Sequence, residues 1–412
     1  MHHKLNYAYV GVDTHKAFHV AVVINFFNEK LGEVTFENKP AAFGKMVADV
    51  KKLCKKQGLT PVFGLEDVGG AGRSLAVHLV EKKEIVKEVN PALGHAYRLS
   101  APTTKKDDSY DAMCVARALK DMLDTLPDAN PNDVYWTLKQ LTSRRYSVVK
   151  ANATLQIQLH DHLKFHYPSY KKFFSEIDLP CALAFWEEYP SPHCLEGVSQ
   201  EELRQFLLKN SHNVLSTKAA AKIMGLIESD GDTKRDLQET RDSIVKGIVK
   251  QIKFNNEQLE SLEQDIKRLL DTLGYKLDTM PGIGTITATD IIAEIGDINR
   301  FSNADKLARF AGIAPVNFSS AGKGTDQKSK QGNRVLNSKL YFLAIQMVQT
   351  HAKTKKPRNP VFYEYFQKKI REGKTKPQAL TSIARQLVRI IYSMMKNKTE
   401  YIMPELPKRE AV

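Results

Sequence analysis

The chain has 412 residues, too many for one typical domain, so two or three are expected. Its 42% hydrophobic and 26% charged residues supply ample core, and no apolar run approaches the roughly 18 residues of a membrane span, which excludes a membrane-spanning role. The net charge of +14 is unevenly distributed: positions 301–412 hold 22 Lys/Arg against 7 Asp/Glu, while positions 1–300 balance to −1.

Such an excess in the last quarter of the chain points to a polyanion, DNA or RNA, whose released counterions favour binding. A merely solubilising surface is the plainer alternative. Cys54, Cys114, Cys181 and Cys194 show no paired spacing, and the opening residues lack a signal-peptide layout. A reducing, cytoplasmic compartment is therefore expected.

In chain order, positions 7–25 predict two strands joined by a short Thr14–Ala17 turn, and a third strand follows around Glu33–Asn38. A helix is predicted from about Pro40 to Lys56, with Phe43, Met46, Val47, Val50 and Leu53 on one face. The strand VFGLED leads through Gly69, Gly70 and Gly72 into a helix ending near Lys83. A strand EIVKEV is stopped by Asn90-Pro91, and after a basic loop a helix begins near Asp108. Three antiparallel strands followed by alternating helix and strand is the element order of a ribonuclease-H-like domain, placed at 1–130.

From 131 to 274 the pattern predicts long helices. Leu138, Leu141, Arg145, Val148, Asn152, Leu155, Leu159 and His162 form a heptad-like stripe, and a second helix is predicted from about Asp232 to Leu273. The two can pair as a hairpin within one chain or as a dimerising coiled coil between chains. The aromatic, proline-containing stretch from Phe165 to Asn213 receives no role. The last part, 275–412, opens with Pro281-Gly282-Ile283-Gly284 ahead of a helix, as in helix-hairpin-helix modules. There Gly282 and Gly284 would let backbone N–H groups approach a phosphate, the alternative being a simple helix connector. A short helix NADKLARFAG, a polar loop from Ala314 to Asn333 and two further helices complete the prediction.

The chemistry concentrates in four acids. Asp13 and Glu66 end strands that would be adjacent in such a sheet, and Asp108 and Asp111 are three apart at a helix start, on one face. A cluster of this kind repels itself and stays ionised only around a cation, for which Mg²⁺ or Mn²⁺ with oxygen ligands is the natural choice. Divalent ions held this way suit phosphoryl transfer on a nucleic-acid backbone. Asp108 could instead be a helix cap, and its neighbour Asp107 lies on the turn before.

A second candidate is Ser320, in a Gly- and Lys-rich loop where a hydroxyl could attack a phosphodiester. Lys323, Lys328, Lys330 and Arg334 are close in sequence and could stabilise the charge that develops. By composition alone this serine would pass as an ordinary loop residue. His15 and His19 read as strand-turn residues, Tyr7, Tyr9 and Phe18 as core aromatics, and Cys181, His193 and Cys194 lack the spacing of a zinc site.

The segments YVGVDTHK, GLE, KDDSYDA, MPGIGTITATDIIAEIGDINRF, LARFAGIAP, SKQGNRVLNSKLYFLA and NPVFYEYFQKKIREGKTKPQAL together resemble insertion-sequence transposases of the IS one-ten type. These are DEDD recombinases guided by a bridge RNA, and the similarity spans nearly all of 7–125 and 275–398. The resemblance implies an α/β RuvC-like domain, long coiled-coil helices, and a mostly helical C-terminal transposase domain with a nucleophilic serine. It puts the acidic tetrad at Asp13, Glu66, Asp108 and Asp111, and the serine five residues past Pro315, at Ser320. Ala321 stands where the family usually has glycine, which leaves Ser319 as a lesser candidate, and Gln331 replaces a frequent arginine.

The resemblance further implies donor and target DNA as substrates and a guide RNA. Pairwise strand exchange then calls for a dimer or tetramer, with Ser320 of the terminal domain brought to a RuvC-like domain of another subunit. The rival readings are a RuvC-type junction nuclease using water, and a non-catalytic nucleic-acid-binding protein.

Overall fold

The computed structural model describes residues 2–100, 107–213, 218–314, 316–320, 323–327 and 332–404. They fall into two compact units, Met1–Trp136 and Thr137–Val412.

The first unit contains β1 (Tyr7–Thr14), β2 (Phe18–Ile24), β3 (Lys30–Glu37), α1 (Pro40–Lys55), β4 (Thr60–Leu65), α2 (Arg73–Glu81), β5 (Ile85–Glu88), α3 (Pro91–Leu99) and α4 (Asp108–Met122). The sheet order is β3-β2-β1-β4-β5. Strands β1, β2 and β3 pair antiparallel, and β4 joins β1 in parallel with Val12 opposite Leu65. Strand β5 extends the sheet in parallel beyond β4.

Both faces of this sheet are covered, so β1 is apolar at every central position rather than alternating with polar residues. Ala8, Val10 and Val12 point to one core with Phe43, Met46 and Val50 of α1 and Leu75 and Leu79 of α2. Tyr9, one position out of phase, joins Val20 and Val22 of β2 in the opposite core with Ala112, Val115, Ala116 and Leu119 of α4. Helix α4 lies almost on the backbone of β1. A Cβ at Gly11 would stand 2.2 Å from the Ala112 carbonyl oxygen and 2.3 Å from the Ala116 nitrogen. That contact sets the first turn of α4 beside the end of β1.

The second unit takes in nearly all of α5 (Asp133–His166), then α6 (Pro180–Glu188), α7 (Gln200–Asn210), α8 (Lys218–Asp230) and α9 (Gln238–Leu273). Helices α5 and α9 run antiparallel. Arg145 pairs with Glu263, buried Asn152 hydrogen-bonds Asn255 and Asn256 at 2.8 Å each, and Leu155, Leu159 and Leu163 share a core with Val245, Val249 and Ile252. The structure thus shows these helices paired within one chain. The Phe165–Asn213 stretch, unassigned from sequence, completes that core: Tyr167, Phe173, Phe185 and Trp186 interlock with ring centroids 5.0–6.1 Å apart.

The chain continues with α10 (Thr285–Ile295), α11 (Ala304–Phe310), β6 (Val316–Ser320), β7 (Lys323–Gln327), α12 (Arg334–Val348), α13 (Pro360–Arg371) and α14 (Lys376–Asn397). Helices α12 and α14 bury Leu336, Leu340, Leu343, Ile383, Leu387 and Ile391. Several expectations change. The loop predicted at 314–333 contains a two-stranded antiparallel hairpin, with Ser320 opposite Lys323 in the backbone register. Three helices follow it rather than two, and α9 starts at Gln238, after Leu237 in the left-handed region, rather than near Asp232. Phe18 is 41% exposed rather than in the core, while Tyr9 is fully buried. Among the described residues no helix is long and apolar enough to cross a membrane.

Candidate active site

The parallel pairing of β1 and β4 brings Asp13 and Glu66 side by side at the carboxyl ends of neighbouring strands. Helix α4 supplies the other two acids from its first turn. Asp107 is the N-cap, its carboxylate accepting the Tyr110 N–H at 2.7 Å, which leaves Asp108 and Asp111 free of the capping role. Their position at a helix N-terminus favours negative charge there.

The acids influence one another electrostatically. Burial, with Asp13 and Asp111 beside it, pushes the Glu66 carboxyl up to about 7. Burial also raises Asp13 above the ordinary carboxylate range, opposed by His15 and reinforced by Asp108 and Asp111.

Two basic residues of the protein itself stand against these acids. His15 Nε2 stands 3.1 Å from Asp13 Oδ2 and 3.4 Å from Asp108 Oδ1. Arg98 of α3 donates to both oxygens of Asp111 at 3.1 and 3.2 Å, with His95 Nδ1 2.7 Å from its other nitrogen. Helix α3 comes so close to the tetrad that a Cβ at Gly94 would lie 2.0 Å from Glu66 Oε1.

The residues present fit a divalent cation. Four carboxylates offer hard oxygen donors, and burial together with Asp13 and Asp111 keeps Glu66 protonated up to about 7. Asp13, His15 and Asp108 place three possible ligand atoms within 4.8 Å of one another. Asp111 thus already has a positive partner in Arg98.

Sequence reasoning missed α3 with Arg98 and His95, and set His15 aside. The available signal was Asn90-Pro91, read as a strand stop; it is an N-cap followed by proline in the first turn, with Asn90 Oδ1 accepting the Ala92 N–H.

The remaining predicted site residues lie in the second unit. Gly282 adopts φ +96° with its open side against Met347, and Gly284 is the N-cap of α10, with no side-chain cap on that helix. Arg334 is exposed at the start of α12. Ser319, Ser320 and Lys323 lie on the backbone hairpin, while Lys328, Lys330 and Gln331 lie outside the described residues. Asn333 is held at the start of α12. It caps α12 through the Leu336 N–H, donates its side-chain amide to Glu294 at 2.7 Å and its backbone N–H to the Phe310 carbonyl. Cys181, His193 and Cys194 do not converge: Cys181 is buried against the Leu207 carbonyl, His193 pairs with Glu196 and Cys194 contacts Asp242.

Comparison with known proteins bears on this arrangement directly. Residues 10–168 match a transposase family model of the DEDD, IS110 type, which takes in all four acids. Residues 274–364 match the model described as the transposase IS116/IS110/IS902 family, which takes in the hairpin and the Gly282–Gly284 turn. The chain belongs to the IS110-type transposases.

Its relatives include an uncharacterized 44.8 kDa protein of insertion element IS116 from Streptomyces clavuligerus, 24% identical over 95% of both chains. A 42 kDa protein of insertion element IS900 from Mycobacterium paratuberculosis is also 24% identical, over 95% of this chain and 96% of its own. A pilin gene-inverting protein from Moraxella lacunata is 28% identical over 44% of this chain and 58% of its own. This IS110-type transposase is accordingly a DNA recombinase, with the acidic cluster in one family segment and the serine hairpin in the other.

Proposed function

We propose that this transposase excises and integrates its own insertion element, cutting and rejoining DNA strands through a phosphoserine link at Ser320. The observation that carries the reading is the convergence of Asp13, Glu66, Asp108 and Asp111 at the ends of β1 and β4 and the start of α4. That placement, with the β3-β2-β1-β4-β5 order, supports a ribonuclease-H-like, RuvC-like domain.

Asp13, Glu66, Asp108 and Asp111 would hold Mg²⁺ or Mn²⁺. A bound divalent ion supplies Lewis-acid stabilisation of the charge gathering on a transferring phosphoryl group. Ser320 Oγ forms a bond to phosphorus as a sugar oxygen leaves with a proton; the reverse attack, by a hydroxyl of the exchanged strand, frees the serine. Because bond energy is retained in the link, rejoining needs no nucleotide cofactor. Lys323, Lys328, Lys330 and Arg334 supply positive charge around the phosphate, and the uncapped first turn of α10 after Gly282 and Gly284 offers N–H groups to the DNA or RNA backbone.

On this reading the acidic domain spans 1–130, the helical region 131–274 and the basic transposase domain 275–412. A guide RNA of the element pairs with donor and target DNA, and the protein grips both backbones through its basic surface. The exposed side of α14, with Arg385, Arg389 and Lys396, supports such a grip. Exchange of two strand pairs calls for a dimer or tetramer, acting on DNA in the cytoplasm.

A second reading has one observation in its favour: the tetrad lies wholly within the first unit, as in a RuvC-type nuclease that cuts with water. Denaturing gels of the full-length protein with element-end DNA, the co-purifying RNA and Mg²⁺ separate the two. The recombinase leaves a protein–DNA adduct that disappears in Ser320→Ala. Free DNA ends with unchanged Ser320→Ala activity would establish the nuclease, and unchanged processing by Asp13→Asn and Glu66→Gln would leave only a binding protein.

A further inference from the structure

We propose that His15 is a direct ligand of the divalent ion, its Nε2 acting with Asp13 and Asp108, so that the centre mixes nitrogen and oxygen donors and favours Mn²⁺ over Mg²⁺. The inference rests on reading the four acids as a metal site and adds a residue outside that set.

The distances fit coordination. Around a six-coordinate ion with bonds of about 2.1 Å, neighbouring ligand atoms lie about 3.0 Å apart. Nε2 of His15 is 3.1 Å from Asp13 Oδ2 and 3.4 Å from Asp108 Oδ1, so the three atoms can share one ion with little movement. The residue is also held at both backbone groups. Its N–H donates to His19 Nδ1 at 3.1 Å, and its carbonyl accepts from Asn38 Nδ2 at 3.2 Å. Asn38 Nδ2 further reaches the Ala71 carbonyl at 3.0 Å, tying the turn after β1 to the loop after β4.

His19 is fully buried, with Phe36 and Phe43 at ring-centroid distances of 5.3 and 6.5 Å, which fixes the acceptor on which the His15 backbone rests. Support of this kind orients metal-ligating side chains. An imidazole nitrogen suits transition ions, whereas Mg²⁺ keeps to oxygen.

The test uses full-length protein and Mn²⁺ alone as the probe, with binding followed by calorimetry and the ion's ligands by pulsed electron paramagnetic resonance on ¹⁵N-histidine-labelled protein. Wild type should show coupling to a directly bound imidazole. His15→Asn, shown to be folded by circular dichroism, should lose that coupling and bind Mn²⁺ at least about tenfold more weakly, with a smaller loss for Mg²⁺. Bound Mn²⁺ without nitrogen coupling in wild type, or equal or tighter Mn²⁺ binding by His15→Asn, would overturn the proposal. In either case Asp13→Asn separates the failures. If that variant loses the ion, the metal site stands without His15; if it binds as wild type does, the metal reading falls as well.

Discussion

Gly94 has no side chain because Glu66 needs the space. A methyl group there would sit 2.0 Å from Glu66 Oε1, and the carboxylate, a flexible side-chain end, is what would give way. Gly94→Ala should therefore leave the melting temperature within a few degrees of wild type, since alanine favours the α3 helix. It should lower DNA strand cleavage about 100-fold, as displacement of a reacting group by about 1 Å does. Thermal melts alongside a cleavage assay check this; full activity would mean that the Glu66 position is not critical. At this scale the strand-end and helix-start positions of the acids were legible in the sequence. A carboxylate directly after an apolar strand is conspicuous, and the spacing of Asp108 and Asp111 marks one helix face. It hid Arg98 and His15, because an ion pair across α3 and α4 and a histidine aimed back at Asp13 depend on tertiary approach, not on local pattern.

Among the elements, the contact of α4 with β1 decides whether the tetrad forms. Gly11, Ala112 and Ala116 bring a helix onto a strand backbone with no room between them. Gly11→Ala pits a methyl group against main-chain atoms that cannot rotate away, so it should destabilise the first unit by about 3 kcal/mol or more. Chemical denaturation should show a lower midpoint, and a change under about 0.5 kcal/mol would contradict the packing described.

The strands and α1 followed from periodicity, and the short helix opening on Asn303 was predicted, whereas α3, opening on Asn90-Pro91, was missed. Asn90, Asn303, Asn333 and Asn359 each cap a helix start, and two of them precede proline. Asn-Pro reads equally as the end of one element and the beginning of the next. The pairing of α5 with α9 was open in sequence because a heptad stripe does not name its partner. Buried Asn152 against Asn255 and Asn256 settles the register within the chain, as a polar residue in an apolar seam does.

For the whole molecule, the division of labour is written in the charge. The four acids of the candidate site lie in the first 111 residues, and the entire positive excess lies beyond residue 300. The two family segments follow the same division, 10–168 and 274–364. The central claim is that Asp13, Glu66, Asp108 and Asp111 gather to hold a cation, and anomalous diffraction from crystals of the full chain soaked in Mn²⁺ tests it most directly. The account predicts an anomalous peak bonded to Asp13 and Asp108, with Glu66 and Asp111 turned toward it and Arg98 drawn off Asp111. Crystals that show no manganese among the four acids, with Arg98 still seated on Asp111 and His15 still bridging Asp13 and Asp108, would contradict it.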